Sequence, residues 1–142
     1  MFWRKKNVIP TPDSFVSRGK ILGEQLLLAA RIDFDGGTKL QQALIGTFLF
    51  GMLCAEGMLH QSSPTEIRNV AISVFEETLR YAPSAAIEGV ENCIQATRPD
   101  GHDTMKAIIH RGIDGHRQIT EDNQMGLAQN IGDVLRQFAP PN

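Results

Sequence analysis

Thr38-Lys-Leu-Gln-Gln-Ala-Leu-Ile-Gly-Thr-Phe-Leu-Phe-Gly-Met-Leu-Cys-Ala-Glu-Gly-Met-Leu59 is the most apolar stretch of this 142-residue chain. Its strongly apolar centre covers only the thirteen residues from Ala43 to Ala55, flanked by Gln41, Gln42 and Glu56. A helix that spans a bilayer needs about 20 apolar residues. The stretch therefore reads as a central helix, buried on most sides by other helices. Gly46, Gly51 and Gly57 each weaken helix propensity by about 1 kcal/mol. They are tolerable as positions where neighbouring helices pack close.

The segments on either side carry helix signals of their own. Upstream, Thr11-Pro12-Asp13 reads as a helix start, with Thr11 as cap and Pro12 at the first helical position. Phe15, Ile21, Leu22, Leu26 and Ala29 continue as an apolar stripe, closed by Asp33-Phe-Asp-Gly-Gly37. Downstream, Ser63-Pro-Thr-Glu66 has the form of a capping box, and Ile67, Val70, Ala71, Val74, Phe75 and Leu79 follow at spacings of three and four. Tyr81-Ala-Pro83 ends that helix. A shorter one runs from about Ser84 to Thr97 and stops at Arg98-Pro-Asp-Gly101. Asp103 caps a helix that meets Gly112, and a last helix starts near Glu121 or Asp122 and ends before Pro140-Pro141. No segment sustains the period-two alternation of a strand. The expected architecture is all-α, a single-domain bundle of about six helices over residues 1–142, with residues 1–10 as an extended N-terminal segment.

Charge is unevenly distributed. Residues 1–31 carry a net of +4 and residues 32–142 a net of −6. An acidic body disfavours nucleic acid, whose binding depends on clustered Lys and Arg. It suits a basic protein partner, or serves only as a solvated surface that keeps the chain soluble. Cys54 and Cys93 lie in apolar helical contexts without a C-x-x-C partner, which points to a reducing compartment. The start, Met-Phe-Trp-Arg-Lys-Lys, is not followed by an apolar run and does not read as a signal peptide. It is also too short to anchor a membrane alone.

Chemistry-bearing side chains are densest in Ile108-Ile-His-Arg-Gly-Ile-Asp-Gly-His-Arg-Gln118. His110 or His116 with Asp114 has the composition of an acid–base dyad, but no nucleophile stands out. The same three residues are possible metal ligands by type, yet their spacing does not suit a site and no further ligand stands nearby. Gly112 and Gly115 argue for a turn, in which His and Arg bond the free carbonyls of a helix end. Gly112-Ile-Asp-Gly115 between Arg111 and Arg117 also has the form of a KH-type Gly-x-x-Gly clamp, but Asp114 would face a phosphate and the strands are missing. Asp33-Phe-Asp35-Gly-Gly falls short of a calcium loop, since Leu44 stands where the bidentate Glu would be. No cofactor is indicated.

The capped helix at Ser63-Pro-Thr-Glu, the Tyr81-Ala-Pro83 break and the later Ile-Ile-His-Arg-Gly-Ile-Asp-Gly block resemble small helical immunity proteins of bacterial polymorphic toxin systems, over roughly residues 40–135. The resemblance implies a cytoplasmic antidote that binds a cognate protein toxin and has no catalysis of its own. It directs attention to His110, Arg111, Asp114 and His116, with Asp33 and Asp35, as a contact surface. Two alternatives stay open from the residues alone: a small metal-dependent or acid–base hydrolase using the His110–His116 block, and a helical regulatory module. The apolar 40–59 segment also leaves a homodimer open.

Overall fold

The computed structural model describes residues 14–139, which form six α-helices and, among the described residues, no strand. They are α1 (Phe15–Ala30), α2 (Lys39–Leu59), α3 (Pro64–Glu77), α4 (Pro83–Ala96), α5 (Asp103–Thr120) and α6 (Gln124–Phe138). The helix start expected at Thr11-Pro12 and the extended segment 1–10 lie outside the described residues; α1 is capped at Ser14, whose hydroxyl accepts from the Ser17 amide at 3.3 Å.

Helix α2 is the axis of the bundle and touches all five other helices. By length and apolarity it would pass for a membrane span, with a mean hydropathy of 1.5, but 67% of that apolar window is buried inside the fold. Phe48, Leu49, Met52 and Leu53 are fully enclosed, together with Leu22 and Leu26 of α1, Val74 and Phe75 of α3, Val90 of α4, Ile108 of α5 and Ile131 and Val134 of α6. Burying an aliphatic or aromatic side chain of this size is worth about 1.5–3 kcal/mol. This shared core holds the six helices to one another.

Local signals set the helix starts. Ser63 Oγ accepts from the Glu66 amide at 3.1 Å while Glu66 Oε1 accepts from the Ser63 amide at 2.8 Å, the reciprocal box expected there. Thr38 and Gln41 repeat the device on α2, at 3.0 and 2.9 Å. Pro83 opens α4 as its first residue instead of ending α3, which stops at Glu77. α5 is capped by His102, whose Nδ1 accepts from the Met105 amide at 3.3 Å, and not by Asp103. α6 begins at Gln124, because Asn123 Oδ1 accepts from the Gly126 amide at 2.9 Å.

The largest departure from expectation is at Gly112 and Gly115. No turn forms there: α5 runs unbroken to Thr120. Both glycines face α2. A Cβ on Gly112 would press on the carbonyl oxygen of Phe48, and a Cβ on Gly51 would press on that of Ile109. The two backbones cross at their Gly51 and Gly112 positions, and the missing side chains let them touch. Gly115 accommodates the Phe48 ring in the same way. The glycines cost helix propensity but gain a close α2–α5 contact, which is the close-approach role expected of Gly51.

Candidate functional site

A continuous α5 distributes its polar residues around the helix instead of gathering them in a loop. His110 points outward and is exposed, whereas His116, six residues on, is 7% exposed and faces the interior. Asp114 Oδ1 accepts from Arg117 at 3.2 Å, one turn along the surface. The dyad considered for His110, His116 and Asp114 is therefore not assembled, since His116 bonds Glu56, Asp114 bonds Arg117 and His110 faces solvent. The Gly-x-x-Gly clamp is absent for the same reason, its residues being interior helix. Among the described residues, no three His, Cys, Asp or Glu side chains are grouped to hold a metal ion.

His116 leaves the expected contact surface because it completes a buried ion network. Glu56 is the single acidic residue of α2 and is 5% exposed. Its Oε1 accepts from His116 Nε2 at 2.8 Å, and its Oε2 accepts from His60 Nε2 at 2.7 Å. Arg18 Nε of α1 stands 3.9 Å from Oε2. The His60 ring lies over Phe15, with centroids 5.4 Å apart and planes 16° from parallel. Burial pushes the Glu56 carboxyl up, but the hydrogen bonds from His116 and His60 and the charges of His116 and Arg18 outweigh it and hold it below its ordinary value. A buried carboxylate costs several kcal/mol unless it is paired and hydrogen-bonded. The pairing here ties α1, the end of α2 and α5 to one point and fixes the rotation of α5.

That rotation turns Arg111 toward α6. Arg111 Nε donates to Asn130 Oδ1 at 2.6 Å, and Asn130 Nδ2 donates to the Arg111 carbonyl at 2.9 Å and to Gln118 Oε1 at 3.1 Å. Asp133 Oδ2 lies 3.9 Å from the Arg111 guanidinium. Arg111, Asp114, Arg117, Gln118, Asn130 and Asp133 line a shallow polar cleft of about 230 Å³ between the two helices. The cleft presents donors and acceptors of both signs without a nucleophile or an enclosed substrate volume, a surface suited to recognition. Sequence reasoning named Arg111 and Asp114 but missed Asn130 and Asp133, which stand on another helix.

Asp33 and Asp35 project into solvent from the α1–α2 connection, where buried Phe34 stacks near Tyr81 with centroids 6.1 Å apart. Asp35 belongs to a separate depression beside Lys39, Arg80 and Tyr81, which does not include the α5 residues. Of the six side chains expected to act together, Arg111 and Asp114 share one cleft, His110 is exposed on the same helix, the two aspartates lie on a loop, and His116 is inside. Glu56 and His60 stand four residues apart on α2, but the pairing of Glu56 with His116, 60 residues away, was not legible in the sequence.

The family described as Immunity protein 48 matches residues 16–139, a span that takes in nearly the whole of all six helices. No curated protein and no solved structure matches the chain.

Proposed function

Because the chain belongs to the immunity protein 48 family, we propose that it binds a cognate bacterial protein toxin in the cytoplasm and neutralises it by direct association, without catalysis of its own. The observation that carries the reading is the extent of the family match. It covers the whole helical core, including the Glu56 network and the α5–α6 cleft, instead of one isolated motif. The geometry supports a binding role. The imidazoles of His60 and His116 are engaged by Glu56, and Arg111 is held by Asn130 at the edge of the polar cleft. A preorganised surface loses little entropy on association, which favours tight inhibition. His110, Arg111 and Asp114 on α5, with Asp33 and Asp35 on the α1–α2 connection, are the proposed charged contacts.

The test is growth rescue. Candidate toxins encoded beside this gene are each expressed with and without the chain, and the purified proteins are mixed and run by size exclusion. Protection together with a stable complex is the expected result. If every candidate still kills in the presence of folded, abundant chain and none forms a complex with it, the proposal is refuted.

A further inference from the structure

A groove runs between the C-terminal half of α1 and α6, on the face of α6 next to the polar cleft described above, with which it shares Gly126 and Gln129. Its narrower part, about 220 Å³, includes Leu28, Arg31, Ile119 and Asp122, and it opens into a trough of about 920 Å³ that includes Arg31, Met125 and Arg136. Two large apolar side chains stand in water at its rims: Leu28 is 78% exposed and Met125 is 85% exposed. Apolar side chains exposed beside a concave surface offer area that a partner can bury.

Charge identifies the occupant. The body from residue 32 onward is net acidic, yet the trough is lined by Arg31 and Arg136 and by no carboxylate, the groove's one acidic lining residue being Asp122 in the narrower part. Arg136 is already paired with Asp133. Arg31 forms no ion pair among the described residues, and it is held in a left-handed conformation, φ 57°, at the C-terminal cap of α1. Glycine is the favoured residue at such a cap; an arginine there keeps a cation at the groove at the expense of backbone comfort. A two-fold contact centred on Arg31 would bring that cation against its own copy, which disfavours a second copy of the chain in that register.

We propose that the groove seats a toxin segment that projects one large apolar side chain between Leu28 and Met125 and a neighbouring carboxylate onto Arg31. This rests on the immunity reading above and adds a further contact beside the charged residues proposed there. The acidic body and the groove then act at different ranges: the first sets the long-range field, the second the register of docking.

The experiment measures binding of the toxin domain encoded beside this gene by calorimetry at two salt concentrations, for the wild type, Leu28→Ser, Met125→Ser, Arg31→Gly and the control Ile87→Ser on α4. Leu28→Ser and Met125→Ser should each weaken binding about 10-fold or more, as buried apolar anchors do. Arg31→Gly should weaken it by about 10-fold, the loss of a charge-assisted hydrogen bond, and should flatten its salt dependence. It should also raise the melting temperature, because glycine relieves the left-handed cap. Gain of stability with loss of affinity is a signature that a purely structural role for Arg31 would not produce. Ile87→Ser should bind like the wild type. If the wild type binds and the groove variants bind equally well, the groove assignment falls and the immunity reading stands. If the wild type itself does not bind, both fall. A wild-type dimer that Leu28→Ser dissociates in sedimentation would assign the groove to a second copy and overturn the proposal.

Discussion

Replacing Gly112 by Ala tests the contact on which the bundle depends. In an exposed helix the substitution would stabilise by about 1 kcal/mol, because alanine loses less backbone entropy on folding. Here the new methyl group would meet the carbonyl oxygen of Phe48, which belongs to backbone and has no rotamer by which to retreat. Relief requires α5 to move off α2, and this is the most extensive helix–helix contact in the fold. Overpacking of this kind costs up to about 3 kcal/mol, so the net expectation is a loss of about 2 kcal/mol. For a domain of this size that lowers the melting temperature by roughly 8 °C. Gly89 supplies the matched control. Its Cβ would meet Phe75 and Tyr81 ring atoms at 3.5 Å, an ordinary contact distance, so Gly89→Ala should gain about 0.5–1 kcal/mol. Thermal and urea unfolding followed by circular dichroism at 222 nm reads both. The reasoning fails if Gly112→Ala is as stable as the wild type, or if the two substitutions shift stability in the same direction.

Three other expectations follow from local chemistry. The Glu56 carboxyl is held below its ordinary value in the folded state, so its contribution is fully present above the unfolded carboxylate pKa of about 4.3 and is lost as pH falls through the lower folded value. Urea titrations across the acid range should show Glu56→Gln losing less stability than the wild type over that interval, and parallel curves would contradict the assignment. Ser63→Ala removes one arm of the α3 capping box and should cost about 1 kcal/mol; an unchanged urea midpoint would show that the cap contributes nothing. Burial pushes the Cys54 thiol up to about 11 and the Cys93 thiol up to about 12. A disulfide reagent at pH 8 should therefore react slowly with the folded protein and rapidly with both thiols in urea; fast labelling of folded protein would contradict this.

The all-helical class, the central position of α2 and the start of α3 were legible in the sequence because each is encoded locally. Apolar spacing of three and four residues determines which helix face is buried, and the Ser63–Glu66 box closes within four residues of chain. Gly112 and Gly115 were not legible in this way. A glycine pair in a helical pattern signals a break or a close approach equally, and here the choice was made by Phe48 and Gly51 on a different helix. His116 likewise found its carboxylate 60 residues away in sequence, and Arg111 found Asn130 across the α5–α6 contact. Periodicity and caps specify which segments are helical and which of their faces turn inward. Which polar groups then meet, and which are left facing solvent, depends on how those helices rotate and cross, and that is set by packing contacts between residues far apart in the chain.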